Sequence, residues 1–405
     1  MHINKIERFP PYFLIIILTF LSDDSLIAGS NVNNFFSHMK IVVFSLIAIA
    51  LLFSFNLKKR VLIHALLLCI LIFSTMILTF DIRLGYFYQF LIICTSLYIS
   101  TKIPLNDFLK FFFNVVVLIA FLSILMLIIK YLIPSIYALF PHMVNSSGEE
   151  YKSIGLVSAF IENEKFRNTG AFREPGVFAI FLALALWIDQ FILNKSISGK
   201  SLVIIFSMAT TFSTIGIFLL IIIYFFSLIK NVKSLSLVAR LINIIILLVI
   251  CFFIFKYVDI FFSKLTADSS GHESTLARTI SFLIGFILFT ESPFWGVGLF
   301  GYEAGFSQLS FSYFGIDFTS GGQGSNTLIA LLATYGIFLA SLFFYGLFKF
   351  SIIFRGIPLM IIGIIILGAL FSQDMRYSIL LWCLFFYGVS SKSFIHNHIR
   401  LLKYT

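Results

Sequence analysis

The sequence predicts an all-α polytopic membrane protein, and two observations carry this prediction. Hydrophobic residues make up 60% of the chain and its mean hydropathy is +1.04, whereas soluble globular proteins hold about 45–50% apolar residues. Apolar runs long enough to cross about 30 Å of hydrocarbon recur along the whole length. We therefore expect one integral membrane domain, residues 1–405, with about twelve transmembrane helices, one pair of them short or re-entrant.

The basic residues predict how the chain is oriented. The formal net charge is +10, and lysines and arginines cluster in short loops such as Lys58–Arg60. This pattern is typical of cytoplasmic loops and explains the charge without a nucleic-acid partner. Both termini are therefore expected in the cytoplasm. The cysteines lie within apolar runs and lack paired spacing, which predicts neither disulfides nor a metal site.

The first part of the chain contains a series of apolar helices before any long polar segment. The predicted spans are Pro10–Ile27, Ile41–Leu57, Val61–Phe80, Leu84–Ser100 and Phe108–Ile133. The first has no small-residue cleavage site followed by a soluble domain, so we expect it to be retained. Asp23 and Asp24 lie near its outer end. Alternation across the membrane then places residues 134–175, the first long loop, outside.

The apolar run Ser201–Ile229 does not fit this alternation. The preceding predicted helix, Gly176–Asn194, returns the chain to the inside, yet Lys230 and further cations follow the run. Hydroxyl residues flank Phe212 on both sides and interrupt the run in its middle. We expect two short helices or a re-entrant pair that turns near Phe212, since this keeps the cations inside. One tilted helix over the whole run is the alternative.

The last part of the chain is expected to contain further spans and a second outer loop. These spans are Leu241–Val258, Asn326–Phe348, Ile357–Phe371 and Tyr377–Ser391. Residues 259–325 form the second long outer loop, whose apolar piece Leu276–Thr290 is suited to lie along the interface. No internal repeat divides the chain into the matched halves of many transporters, which favours an outward-facing site built from loops.

Charged residues concentrate beside the helix that begins near Pro175. Arg167, Arg173 and Glu174 lie in R-N-T-G-A-F-R-E-P-G, where proline suits a first helical turn. Arginine offers a fixed fork of donors that suits phosphate oxygens, and it keeps its charge at any working pH. The alternative is that Arg173 and Glu174 simply pair with each other at the level of the lipid headgroups.

Other outward residues compete with this cluster. His272 lies beside an acid and is a candidate general base, although a solvated loop histidine is the alternative. Arg278 opens an apolar run, where a snorkelling anchor is the alternative. Asp374 and Arg376 most simply form an ion pair within a turn. Asn326 is either a helix cap or a polar residue of the site.

Several short motifs, in order and spacing, resemble the O-antigen polymerases and their ligase relatives. R-N-T-G-A-F-R-E-P-G-V-F-A is similar to the family signature Arg-x-x-Gly-x-Phe-x-Glu-Pro, and T-T-F-S-T-I-G to a helix junction that usually carries arginine in place of Thr214. Arg278 with the later S-P-F-W-G-V-G-L-F-G resembles a third motif. S-N-T-L-I-A resembles a helix entry that usually begins His-Asn, with Ser325 in place of the histidine. The resemblance covers Arg167–Phe338.

The resemblance implies a metal-independent glycosyltransferase with a fold similar to the GT-C class and no cofactor. Its substrates would be undecaprenyl-diphosphate-linked oligosaccharide repeat units, joined into O-antigen or capsule-type polysaccharide. The protein would lie in the bacterial inner membrane and act at its outer face. A chain-length regulator and a flippase would be its protein partners, in addition to membrane lipid.

The candidate residues divide into two groups. For catalysis, Glu174 is the first choice of base and His272 the second, while Arg173 and Arg278 neutralise the diphosphate leaving group. The candidates for substrate binding are Arg167, Gly170, Arg278, Asn326 and Arg376.

Two rival functions stay open. An O-antigen ligase, which transfers glycan to the lipid A-core, would be expected to act through the histidine that Ser325 replaces. A lipid-linked oligosaccharide flippase, which is not an enzyme, would be expected to show matched halves, charges within its helices and short outer loops. In this sequence the long outer loops carry the charges instead.

Overall fold

The computed structural model describes residues 10–29, 34–53, 58–144, 150–154, 158–161, 167–193, 198–231, 270–315 and 326–391. The helices up to the first outer loop are α1 Pro10–Phe20, α2 Leu26–Gly29, α3 Asn34–Leu52, α4 Lys59–Leu78, α5 Leu84–Lys102, α6 Leu105–Leu132 and α7 Pro134–Ala138. Those that follow it are α8 Pro175–Trp187, α9 Gly199–Thr210, α10 Thr214–Asn231, α11 Ser270–Glu291, α12 Gly298–Phe314, α13 Thr327–Ile352, α14 Ile357–Ser372 and α15 Ile379–Ser390.

The predicted class, an all-α membrane protein, is confirmed. Among the described residues, five helices are long and apolar enough to cross a membrane: Lys59–Leu78, Leu84–Lys102, Leu105–Leu132, Pro175–Leu193 and Thr327–Ile352. Shorter apolar helices lie beside them. The predicted span Leu241–Val258 lies outside the described residues, as do Ser325 and the glycine-rich stretch before it.

The first helix ends earlier than its apolar run suggested. α1 stops at Phe20, and a polar turn leads into the short helix α2. In this turn the hydroxyl of Ser22 accepts a hydrogen bond from the Asp24 backbone at 3.3 Å, and the hydroxyl of Ser25 accepts one from Ala28 at 3.1 Å. Serine and aspartate side chains that bind nearby backbone in this way compete with helix formation.

The first outer loop contains a small antiparallel sheet that the sequence analysis did not predict. Its strands are β1 His142–Val144, β2 Glu150–Ile154, β3 Ser158–Ile161 and β4 Arg167–Gly170, each paired with the next. β4 carries the start of the arginine motif. A tight turn follows, in which Phe172 donates a backbone hydrogen bond to Thr169 at 3.0 Å, and α8 begins at Pro175. The motif therefore lies between a strand and a buried helix.

The run 201–229 is two helices, as its hydroxyl-rich interruption predicted. α9 ends at Thr210, α10 begins at Thr214, and Phe212 between them has a positive φ of 48°. The open ends of both helices meet at Gln190, which donates to Ser201 of α9 at 3.0 Å and accepts from Ser227 of α10 at 2.6 Å. Because both ends lie against one residue, the pair forms a hairpin.

Residues 270–315 of the segment predicted as a second outer loop are largely helical. α11 and α12 pack on each other and on α13 through Ile280, Ile284, Leu288, Tyr302, Phe306, Ala330 and Ala333. The apolar piece that was expected along the interface is therefore packed against α13. The turn between α11 and α12 enters a break in α13, where Gly336 has a φ of 75° and a ψ of −177°.

At this break two segments exchange backbone hydrogen bonds. Within an unbroken helix, Ile337 would donate to Ala333. Instead Ile337 donates to Pro293 at 2.8 Å, and Ala333 accepts from Val297 at 2.8 Å. Both freed groups of α13 are thus satisfied by the inserted turn, which an apolar environment requires.

Helix α8 forms the centre of the bundle. All of its residues from Pro175 to Trp187 are buried. It continues as a π-helix, Ile188–Leu193, and it contacts α6, α9, α10 and α14. A helix that is apolar on every side is expected in such a central position. The two ends of α8 are therefore the places where polar groups enter the core.

Candidate functional site

Four segments that are distant in sequence meet at the beginning of α8. The turn after α1 pairs with the motif loop, because the backbone of Arg173 donates to Asp24 and that of Leu26 donates to Ala171, both at 3.0 Å. The beginning of α13 joins them through Thr327, whose backbone donates to Gln373 at 3.0 Å. We call this region, which surrounds the cavity described below, the cavity end.

The turn Gln373–Ser378 connects the other three segments. Its residue Met375 donates to the Thr327 hydroxyl at 2.8 Å, and the carbonyl of Asp374 accepts a hydrogen bond from the Arg173 guanidinium. Ser378 donates to the carboxylate of Asp24. The basic loops predicted that all of these segments lie on the same, outer side of the membrane. The tertiary contacts, which bring the segments together, are consistent with that prediction.

A cavity of about 170 Å³ opens among these segments. It is lined by Asp23, Asp24, Gly29, Arg173, Asp374, Met375, Tyr377 and Ser378. Sites that enclose a whole drug-sized ligand measure about 300–1,000 Å³. This cavity is therefore suited to one polar end of a larger substrate.

Arg173 is the positive charge of the cavity. Its side chain is 23% exposed and lies 3.7 Å from the Glu174 carboxylate, whose side chain is 44% exposed. Burial lowers the pKa of Arg173, but the carboxylates of Glu174 and Asp24 outweigh this and raise it overall. The guanidinium is fixed by its bond to the Asp374 carbonyl. It is therefore a permanent cation that the fold holds at the wall of a cavity.

Asp24 is the most buried carboxylate of the cavity, with 1% of its surface exposed. It accepts hydrogen bonds from the hydroxyls of Ser378 and, at 3.0 Å, Ser22. Burial raises its pKa to about 6, although Ser378 and Arg173 partly oppose this. A carboxyl with a pKa in this range changes its charge close to neutral pH.

Arg376 supports the floor of the site. Its guanidinium lies 3.1 Å from the Asp374 carboxylate, donates to Thr334 at 3.2 Å, and stacks over Tyr302 and Tyr377 at 5.0 and 5.3 Å from the ring centroids. The simplest sequence interpretation, an ion pair within a turn, is confirmed. Arg376 is buried and does not line the cavity. Its contacts link α12 and α13 to the turn Gln373–Ser378.

Asp23 is held in a different way from its neighbour. Its carboxylate forms an ion pair with Lys40 and accepts a hydrogen bond from Tyr88 at 2.9 Å. Lys40 also donates to the carbonyl of Ala28 at 2.7 Å. Asp23 is therefore neutralised by its own cation, Lys40, whereas the charge of Arg173 acts on Asp24.

Three predicted substrate-binding residues have structural contacts of their own. Arg167 donates to the carbonyl of Thr211 at 3.4 Å, which ties β4 to the turn of the α9–α10 hairpin. Gly170 has a φ of 54°, and a Cβ there would lie 2.7 Å from the ring of Phe178. Asn326 accepts from Ile329 at 3.2 Å and caps α13, which is one of its two predicted roles.

Arg278, the second arginine nominated for the leaving group, does not line the cavity. Arg278 lies on α11 with an exposed side chain, and it forms no ion pair with any residue that the structure describes. His272 is also on α11, but its side chain lies outside the described part. Among the sequence candidates whose side chains the structure describes, only Arg173 lines the cavity, and Glu174 lies beside it.

Sequence reasoning missed the acidic side of the cavity. Asp24 and Ser378 were not predicted as site residues, because each lies in a short turn far from the arginine motif. One signal was present: adjacent acids at the end of an apolar run are costly to bury and therefore call for a function or a partner. Which partner they meet depends on contacts between remote segments.

Comparisons with known proteins add no assignment. No protein-family model matches the chain, and no curated protein matches it.

Proposed function

We propose that this protein polymerises polyprenyl-diphosphate-linked oligosaccharide repeat units into an O-antigen or capsule-type polysaccharide. The observation that carries the proposal is the fixed guanidinium of Arg173 at the wall of a cavity that carboxylates also line. Transfer of a glycan from a lipid diphosphate needs a cation at the leaving group and a base at the incoming hydroxyl. The cavity end provides both kinds of group within one site.

In the proposed reaction the terminal hydroxyl of one repeat unit attacks the anomeric carbon of a second, lipid-linked glycan. The bond between that carbon and the diphosphate breaks, and negative charge grows on the departing diphosphate. Arg173 stabilises this charge without a metal ion, since a guanidinium binds phosphate oxygens with a fixed fork of donors. A carboxylate or an imidazole takes the proton of the hydroxyl, and the sequence nominated Glu174 first and His272 second for this role.

The proposal includes a place in the cell. The site faces the outer side of a bacterial inner membrane, both termini are cytoplasmic, and the chain makes about twelve crossings in a GT-C-like arrangement. A flippase supplies the lipid-linked substrate, and a chain-length regulator limits the product. The orientation and the number of crossings rest on the apolar runs and the basic loops. The GT-C-like arrangement and the protein partners rest on the motif resemblance.

The orientation has a direct test. In a variant without native cysteines, Leu139→Cys should react with an impermeant thiol reagent in cells with a permeabilised outer membrane, because Leu139 is 82% exposed directly after α7. Lys200→Cys, exposed at the beginning of α9, should react only after lysis. Labelling of the second position in intact cells would reverse the orientation and remove the proposed site from the outer face.

The reaction is tested by the glycan profile of a deletion strain. Loss of a polymerase leaves a single repeat unit on the lipid core, and the plasmid-borne protein should restore the ladder. If the deletion leaves no repeat unit at all, the protein is a ligase or a flippase. If the ladder is unchanged, the proposed function is wrong. Arg278→Ala in this strain tells whether that exposed arginine acts at the leaving group or only anchors α11.

A flippase is the second candidate because one feature favours it specifically. Discontinuous helices often form the substrate sites of transporters, and α13 is broken at Gly336. Here, however, the freed backbone groups are already bound by the turn between α11 and α12. Accumulation of lipid-linked single repeat units at the inner leaflet of the deletion strain would decide for the flippase.

A further inference from the structure

We propose that Asp24, a residue of the turn after α1, accepts the proton of the incoming hydroxyl. This inference rests on the proposed function and names its base. It replaces Glu174, the first base that the sequence nominated.

The first argument is position. Asp24 lines the cavity together with Arg173, and only 1% of its surface is exposed. Glu174 does not line the cavity, and its side chain is 44% exposed. A base that acts beside a diphosphate should share the cavity with the cation that holds the diphosphate. Asp24 meets this condition and Glu174 does not.

The second argument is orientation. The Asp24 carboxylate is held by the hydroxyls of Ser378 and Ser22, and its main-chain carbonyl accepts from the backbone of Arg173 at 3.0 Å. This backbone hydrogen bond fixes the main chain of the acid relative to that of the cation. Proton transfer requires a base whose oxygen is already directed at its position of action.

The third argument is the proton affinity of the carboxyl. Burial raises the pKa of Asp24 to about 6, against 3.8 for an ordinary aspartate. The ionisable groups that face it from the surrounding segments are Asp23, Tyr88, Arg173, Asp374 and Tyr377. At neutral pH Asp24 is mostly ionised and is more basic than a solvated aspartate, which suits a general base.

The proposed step balances without a further reactant. The hydroxyl oxygen forms a bond to the anomeric carbon, and its proton passes to a carboxylate oxygen of Asp24. The electron pair of the broken bond leaves with the diphosphate beside Arg173. Asp24 then releases the proton to water, and the site returns to its starting charge.

The first test compares carboxylate variants in membranes supplied with the lipid-linked repeat unit from the deletion strain. Asp24→Asn keeps the shape and an acceptor oxygen, but it should lower the rate about a hundredfold or more, the usual contribution of a general base. Asp81→Asn is the matched control, since Asp81 is also buried in a turn after a helix but lies outside the cavity. The protein amount in the membrane is measured for each variant.

The second test is the pH profile, which a structural role would not move. The rate of the wild type should fall as Asp24 is protonated, with half of the activity lost near pH 6. Ser378→Ala removes a hydrogen bond that favours the ionised form, so the acid limb should move to higher pH. An unchanged profile in Ser378→Ala, or normal chain lengths in Asp24→Asn, would overturn the inference.

A third measurement does not depend on the reaction. A hydrophobic carbodiimide modifies protonated buried carboxyls, so mass spectrometry should find labelled Asp24 at pH 5.5 and much less at pH 8. If labelling follows this pattern but the wild-type membranes make no polymer, the proposed function fails and the protonation state of Asp24 stands. If polymer forms and Glu174→Gln alone stops it, Glu174 is the base and this inference is wrong.

Discussion

Helix α8 has a polar region at each end, and the two regions differ in kind. At its beginning lies the cavity end, with Asp24, Arg173 and Asp374. At its far end the π-helix carries Asp189 and Gln190, both buried. Both regions place a carboxylate deep in an apolar bundle, where an unpaired charge would be costly.

The Asp189 region is a closed network of hydrogen bonds. The carboxylate accepts from Ser198 at 3.1 Å, from Gln190 at 3.2 Å and from the hydroxyl of Ser201. Lys230 donates to the carbonyl of Gln190 at 3.2 Å. These bonds join α9 and α10 to α8, so the network holds the hairpin in place.

The cavity end has charges of both signs around open space instead. Arg173 and the carboxylates of Asp23, Asp24 and Asp374 line one cavity of about 170 Å³. A saturated network stabilises a fold, whereas a cation and an acid that line the same open space can receive a ligand. Burial alone does not distinguish structure from function here, but the arrangement of partners does.

Arg173→Ala should give the largest effect, because it removes the cation from the cavity. We expect a loss of polymer formation of about a hundred- to a thousandfold, the usual effect of one donor that stabilises developing charge. Arg173→Lys should recover little, since an ammonium does not reproduce the fork. Arg83→Ala is the control, because Arg83 is paired with Glu303 outside the cavity. Equal losses in Arg173→Ala and Arg83→Ala would show that the cavity end has no special role.

Gly336→Ala tests whether the break in α13 depends on a backbone conformation that favours glycine. The positive φ of 75° is strained for any residue with a Cβ, and the added methyl would meet the carbonyl of Phe294. We expect a loss of about 3 kcal/mol in stability and less protein in the membrane. Gly363→Ala on α14, where a Cβ has open space, should be neutral or slightly stabilising. Equal amounts of both variants would mean that the break carries no strain.

The helices were predictable because their signal is local. Apolar runs and basic loops gave α4, α5 and α6 to within a few residues at most ends, and the hydroxyl residues near Phe212 gave the hairpin turn. The early end of α1 was missed, since its cause is the bonding of Ser22 and Ser25 to nearby backbone within an apolar run. The sheet of the first outer loop was missed because its strands are short.

The site was predictable only in part. The charged motif indicated Arg173, because it groups several charges beside a membrane helix in a chain with only 11% charged residues. Asp24 and Ser378 join it through tertiary contacts between residues that are 354 positions apart in sequence. Gly170 and Asn326 belong to the motifs but serve the backbone, one at a turn packed on Phe178 and one as a helix cap.

Asp24→Asn should change the stability of the cavity end in a pH-dependent way. A folded-state pKa of about 6, raised from 3.8, means that the folded protein is favoured at low pH and loses this stability as pH rises through about 6. The neutral asparagine avoids that loss. At pH 8 the variant should therefore be more stable than the wild type, by at most about 3 kcal/mol, and at pH 4 the two should be equal. A lower melting temperature for the variant at pH 8 would contradict the raised pKa.

Asp189→Asn should have the opposite pattern and the smallest effect. The surrounding groups donate hydrogen bonds to the Asp189 carboxylate. Asparagine has one acceptor oxygen fewer, and its two N–H donors would face these other donors. We expect a loss of about 1–2 kcal/mol in thermal stability in detergent, with normal chain lengths once the protein amount is equalised. The same substitution thus gives a more stable but inactive protein at one end of α8 and a less stable but active one at the other. If Asp189→Asn instead shortened the polysaccharide at equal protein amount, the closed network would take part in function, and the distinction between the two ends would fail.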